Sequence, residues 1–221
     1  MTGLKIEGVV FDVDGVLFDT ERLTQQTWLA VSREMGWPQV GEAYLEFVGQ
    51  NRADIFQKME DLFGAEFPKD AFMAACSARS QARMETEGVP MKPGVGEVLE
   101  LLRSRGVPTA LATSTGRPRT KRRMEMTGLG PYFSAIITGD QVEHSKPDPE
   151  IYRAACQRLG VSPAKAVAVE DSPNGIRSAL SAGMTAVMIP DLIPSFPELD
   201  SLIWKKFDDL SSLLHYLQRE L

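Results

Sequence analysis

The chain has 221 residues, 43% of them hydrophobic and 24% charged, with a formal net charge of −6. This length suits one core plus a modest insertion, and a chain of this size buries roughly 70% of its unfolded surface. The acidic balance and a pI near 5.1 argue against nucleic acid or an anionic membrane surface as the main partner, no run approaches the roughly 20 apolar residues of a membrane helix, and "MTGLKIEGVVFDVDG" lacks a signal-peptide core, so the expectation is a cytoplasmic protein.

The first predicted strand covers residues 6–11 (IEGVVF) and runs into Asp12 and Asp14, two carboxylates separated by one valine and followed at once by Gly15. Residues 20–90 carry no convincing strand, only helical patterns such as Ile55, Phe56, Met59, Leu62 and Phe63, with Asn51 as the expected N-cap and Gly64 as a stop. Further strands are predicted at 107–112, 133–138, 166–170 and 185–189, separated by helices whose apolar positions recur at helical spacing, among them Val95, Val98, Leu99 and Leu102. Gly106, Gly160 and Gly183 fall where those helices should stop, and Leu210, Leu213, Leu214 and Leu217 form the apolar stripe of a last helix. Both cysteines, Cys76 and Cys156, lie in predicted helices without metal-binding spacing and are read as buried free thiols.

Alternating strand and helix implies an α/β fold with a parallel sheet covered on both faces, here with a small helical domain inserted after the first strand. The division is 1–19 and 91–221 for the core and 20–90 for the insertion. In such a sheet ligands bind beyond the carboxyl ends of the strands. The residues delivered there are Asp12 and Asp14 after the first strand, Thr113 and Ser114 after the second, Lys146 beyond the third, and Glu170 and Asp171 after the fourth. Up to four carboxylates against one lysine cannot share a cleft without a cation, since each like-charge pair at ~4 Å costs about 4 kcal/mol at an effective dielectric of ~20. All-oxygen ligands point to a hard ion such as Mg²⁺, which with Lys146 could hold a phosphoryl group; the Thr113 hydroxyl and backbone N–H groups would complete its cradle.

Four strings, DVDGVLFDT (12–20), LATST (111–115), SKPDP (145–149) and VEDSPNGI (169–176), resemble in order and spacing the haloacid dehalogenase superfamily, in its phosphoglycolate phosphatase and β-phosphoglucomutase-like branch. The resemblance implies a Rossmann-like core with a mobile helical cap and a Mg²⁺-dependent phosphatase of small phosphorylated metabolites, monomer or homodimer. It implies that Asp12 attacks phosphorus and that Asp14 is the acid and base, its pKa raised by crowding. The metal would be held by Asp12, Asp171, the Asp14 carbonyl and Glu170, directly or through water. Lys146 and Thr113 would bind the transferring group with backbone N–H near Gly15 and Ser114. An acid at position 14 argues for phosphate esters over halides or phosphonates. The mutase carries a cap histidine where this chain has Thr24, which favours water as the acceptor, and Arg52 matches a cap arginine that contacts the distal part of the substrate. Two alternatives remain at this point: a hexose-phosphate mutase, and a non-catalytic phosphate-sensing module. The basic run RPRTKRR (117–123) is read as a solvated helix face, with Arg117 or Arg119 available to raise the potential near the cleft, and His144 as a loop residue.

Overall fold

The structure, a computed structural model, describes residues 5–50 and 52–221; Asn51 lies outside the described residues. In chain order its elements are β1 (Gly8–Phe11), α1 (Thr20–Glu34), α2 (Pro38–Glu42), α3 (Arg52–Phe63), α4 (Lys69–Glu87), α5 (Val95–Ser104), β2 (Thr109–Thr113), α6 (Arg117–Thr127), β3 (Ala135–Thr138), α7 (Glu150–Leu159), β4 (Ala166–Glu170), α8 (Pro173–Ser181), β5 (Thr185–Met188), β6 (Lys205–Lys206) and α9 (Leu210–Glu220). The strands form a six-stranded sheet in the order β3-β2-β1-β4-β5-β6, every pair parallel. The chain runs from β1 outward through β2 and β3, then returns to the other flank of β1 with β4. The order therefore reverses at β1, and the crevice at its carboxyl end is where a ligand is expected.

Strand alternation sorts the core into two layers. Val9, Phe11, Leu111, Val167 and Val169 point to the side covered by α5 and α9, where Val98, Leu99, Leu102, Leu213 and Leu217 pack against them. Val10, Ala110, Ala112, Ala168 and Ala186 point to the side covered by α7 and α8. Alanine dominates that second face, so the helices approach closely and the large Tyr152 side chain fits fully buried against the sheet.

The helices between residues 20 and 87 have a core of their own. Trp28 lies at its centre, with ring centroids 5.0 Å from Tyr44, 5.3 Å from Phe47 and 5.1 Å from Phe72. The two chain crossings that join this bundle to the sheet lie side by side: the Asp19 N–H donates to the Pro90 carbonyl at 2.8 Å and the Lys92 N–H to the Leu17 carbonyl at 2.9 Å. The Lys92 ammonium pairs with Asp191 of the core and stands 3.4 Å from Asp19.

The predicted strands are all present, starting at or up to two residues after the predicted positions; β6, two lysines long, has no apolar signature and was not expected. Backbone pairing joins it to β5, the Trp204 N–H to Ala186 and the Phe207 N–H to Met188, while the Lys205 ammonium lies over the Trp204 and Tyr216 rings and that of Lys206 donates to the Pro194 carbonyl. Leu99, 1% exposed, tests the core layer under α5. Leu99→Ala should lower stability by about 2–5 kcal/mol, read as a lower denaturant midpoint with an unchanged slope in urea unfolding.

Candidate active site

Asp12 follows β1 directly, its N–H donating to the Val169 carbonyl at 3.0 Å, so the backbone ladder itself carries its side chain to the sheet edge. The chain then turns sharply, with Gly15 at a φ of +85° and the Leu17 and Phe18 N–H groups both on the Val13 carbonyl. A Cβ on Gly15 would stand 2.1 Å from Asp171 Oδ2, so glycine here is a requirement of space as well as of conformation. Backbone N–H near Gly15 is expected to help hold phosphate; the Gly15 N–H itself donates to the Phe18 carbonyl at 2.9 Å, and Gly15 contributes the turn and the room for Asp171.

Lys146 is buried at 5% exposure, and its Nζ donates to Asp12 Oδ1 at 2.6 Å, to Glu170 Oε1 at 2.6 Å and to the Ala112 carbonyl at 2.9 Å. Glu170 is wholly buried and doubly engaged. Its Oε1 also accepts from the Tyr152 hydroxyl at 2.6 Å, and its Oε2 accepts from the Asp171 and Ser172 N–H groups at 3.1 and 3.3 Å. Gly175 makes room for it, since a Cβ there would lie 1.9 Å from Oε1. Asp12, Glu170 and Asp171 each offer an oxygen within 4.8 Å of the other two, and among the described residues Asp171 has no cationic partner.

The charges follow from that packing. Burial pushes Asp12 up, Lys146 draws it back, and Glu170 and Asp14 push it again, leaving the carboxyl at about 7. Burial, then Glu170 and Asp12, raise Asp171 well above the usual carboxylate range. Burial opposes the Lys146 charge, but Asp12 and Glu170 outweigh it and hold the ammonium above its ordinary value. At separations of 4.8 Å or less each like-charge pair costs about 3–4 kcal/mol or more at an effective dielectric of ~20, more than one lysine offsets for three acids. The donor set therefore fits a small hard cation, taken by Asp12 and Asp171.

Asp14 departs from expectation. Burial alone would raise its pKa, but the Arg123 charge and hydrogen bonds from Thr20, Thr115 and Arg123 outweigh burial and hold it at about 2. Its Oδ1 accepts from the Thr20 hydroxyl at 2.5 Å and Arg123 Nη1 at 2.6 Å, and its Oδ2 from the Thr115 hydroxyl at 2.8 Å. Crowding by acids was expected to raise this group; a cation on its other side reverses the direction. The basic run is corrected with it. Arg123 is 6% exposed and points inward on the α6 face that also buries Thr120 and Met124, whereas Arg117 is exposed and meets Asp140 only through its backbone. Reading 117–123 as a block of charge hid its helical spacing.

A cavity of about 510 Å³ opens over these groups, with Thr113, Ser114, Lys146 and Asp171 in its floor and Val48, Arg52, Ile55 and Met73 of the helical bundle in its roof. Thr113 is buried and its hydroxyl accepts the Thr115 N–H at 3.1 Å, while Ser114 is exposed to the cavity. Arg52 is exposed, 4.7 Å over the Phe56 ring and 3.9 Å from Asp70. Thr24 lines the cavity and spends its hydroxyl on the Thr20 carbonyl at 2.8 Å. His144 is exposed beside Glu150, away from the cavity. Glu21 was not anticipated: it lines the cavity, accepts the Tyr44 hydroxyl at 2.5 Å, and is raised to about 7, chiefly by burial.

Residues 6–183 match the family model of the haloacid dehalogenase-like hydrolases. The chain is 34% identical over 182 residues to a phosphorylated carbohydrates phosphatase of Thermotoga maritima, covering 82% of this chain and 84% of that one. It is 31% identical over 208 residues to hexitol phosphatase A of Escherichia coli, covering 90% and 91%. A haloacid dehalogenase family hydrolase of Deinococcus radiodurans, solved with bound phosphate and sodium, superposes with a TM-score of 0.80 at 28% identity, over 98% of this chain and 97% of that one.

Glu21 gives the site a measurable pH signature. Because the folded carboxyl holds its proton up to about 7 while the unfolded one loses it near 4.5, its contribution to stability is present at low pH and falls as pH rises through 7. Glu21→Gln should recover about 2 kcal/mol at pH 8 relative to pH 5, seen as a smaller loss of melting temperature across that range than in the wild type.

Proposed function

The chain belongs to the haloacid dehalogenase-like hydrolases, and from that premise we propose that its cleft hydrolyses phosphate monoesters in two steps, with Asp12 as nucleophile. The carrying observation is the Lys146 ammonium held 2.6 Å from both Asp12 and Glu170 beside Asp171, which has no cationic partner among the described residues. In the first step an Asp12 oxygen attacks phosphorus and the ester oxygen leaves with a proton from Asp14, giving an aspartyl-phosphate. In the second, water attacks that phosphorus, Asp14 takes the water's proton, and Asp12 is regenerated with release of inorganic phosphate. Asp14 donates only in its protonated form, so parting from Arg123 belongs to the first step.

Lys146 fixes the Asp12 carboxylate by Oδ1 and adds positive charge where the phosphoryl oxygens collect. Thr113 and Ser114 would supply hydrogen bonds from the end of β2. Glu170 has both oxygens taken, so its role is to hold Lys146 and the Asp171–Ser172 turn in place. Asp12, Asp171 and the Asp14 carbonyl would hold Mg²⁺, which when bound neutralises the acids and the phosphoryl group together.

Residues 20–90 are proposed as the cap, placing Arg52 over the distal part of the substrate. Thr24 offers no acid or base for passing phosphate between substrate hydroxyls, which supports water as the acceptor. Relatives named for phosphorylated carbohydrates and hexitols support phosphorylated sugars or sugar alcohols as the substrate class.

Phosphate release from p-nitrophenyl phosphate and a panel of sugar phosphates, with Mg²⁺ present, tests the reading. Asp12→Asn should lower kcat by about a thousandfold or more while the variant still melts cooperatively. Turnover that survives the substitution would remove Asp12 as nucleophile.

A further inference from the structure

Helix α6 carries Arg119 and Arg123 one turn apart. Both line the 510 Å³ cavity above Asp12, and both also line a second space of about 170 Å³ that lies between α4 and α6, with Gln81, Met84 and Glu85 opposite. The two spaces thus meet at this pair of guanidiniums. Arg123 is nearly buried, its side chain 7% exposed, and Asp14 is its one ion-pair partner among the described residues. Arg119 has no ion pair among the described residues; its side chain reaches solvent, and the partial burial of its guanidinium and then the neighbouring Arg123 charge push it below its ordinary value, while Asp14 supports it. Beside the reacting centre, then, two cations have Asp14 as their one ion-paired carboxylate among the described residues, with Glu85 across the second space. The other acid near them in the cavity, Glu21, is already hydrogen-bonded to Tyr44.

Paired guanidiniums that a cavity exposes and one acid leaves under-compensated suit a planar or tetrahedral anion, which can take two parallel N–H donors from each. We propose that Arg119 and Arg123 form a subsite for a second anionic group of the substrate, so that the preferred substrates are phosphate monoesters carrying a carboxylate or a second phosphate close to the ester oxygen. The proposal rests on the phosphatase reading, since the first phosphate must sit at Asp12 for the second anion to reach α6. It assigns the selectivity to the core helix, independent of Arg52, which is exposed and stacked on Phe56 in the roof. Asp14 is the group that a second anion meets on arrival: it already contacts Arg123, and a competing anion on that guanidinium frees the Asp14 carboxyl to turn toward the leaving oxygen.

The test compares substrates that differ only in the second charge. Glycerate 3-phosphate is paired with glycerol 3-phosphate, and ethane-1,2-diol bisphosphate with ethane-1,2-diol monophosphate, each assayed for phosphate release with Mg²⁺. The wild type should prefer the doubly anionic member of at least one pair by about tenfold or more in kcat/KM, and the pair that responds tells whether the second anion is a carboxylate or a phosphate. Arg119→Gln should cut that preference to about a third or less, and Arg119→Glu should reverse it. Arg119 is exposed, so these variants should fold even where Arg123→Gln does not. No preference in the wild type, or one that survives Arg119→Glu, overturns the subsite while leaving the phosphatase reading intact if p-nitrophenyl phosphate is still cleaved in an Asp12-dependent way. Failure to cleave any ester would overturn both.

Discussion

The Lys146 ammonium lies 2.6 Å from Asp12 and 2.6 Å from Glu170, and is 5% exposed. A buried ammonium is costly unless paired, and two buried carboxylates are costly unless something positive stands between them. Each side of the contact thus requires the other. The sheet meets that requirement by ending β1 and β4 next to each other, with Phe11 in register with Val169, so that Asp12 and Glu170 emerge side by side. Tyr152 closes the arrangement from α7, where the alanine-rich face of the sheet leaves room for its ring. What this contact leaves over is Asp171, a third acid within 4.8 Å, and that excess of negative charge suits the edge to a cation, through which the proposed reaction would also hold a phosphoryl group.

A second balance is set on the far side of the nucleophile. Asp14 is tied to the first residue of α1 through Thr20, to the end of β2 through Thr115, and to α6 through Arg123. One carboxylate therefore touches the helical bundle, the sheet edge and a buried arginine together. Motion of the bundle about the Asp19–Pro90 and Leu17–Lys92 crossings would move Thr20 with it and change the partners of Asp14. The acid that would serve the leaving group is in this way coupled to the segment that would enclose the substrate.

Much of the fold was legible because it rests on periodicity: β-branched and alanine runs gave the strands, apolar spacing gave α5, α7, α8 and α9, and glycines marked the helix ends. β6 was not legible, since a strand of two lysines carries no apolar pattern. At the site, Asp12, Thr113, Lys146 and Asp171 could be located because strand ends in a parallel sheet converge, and the cavity does bring them together. Arg123, Glu21 and Tyr152 escaped notice for a common reason. Each lies on a helix where its neighbours supply an ordinary account, a basic run, an acidic first turn or an apolar stripe, and only the packing of that helix against the sheet edge turns the side chain inward. The pKa of Asp14 was misjudged through the same omission, because acids were counted around it and the arginine was not.

The central claim is that surplus negative charge at Asp171 is what a divalent cation relieves, and melting temperature reads that directly. Measured in EDTA and again in Mg²⁺ at neutral pH, the wild type should rise on adding the ion, while Asp171→Asn should already melt higher than the wild type in EDTA, by about 4 °C, and respond little to Mg²⁺. A wild type indifferent to Mg²⁺, or a variant that gains as much from it as the wild type does, would contradict the account.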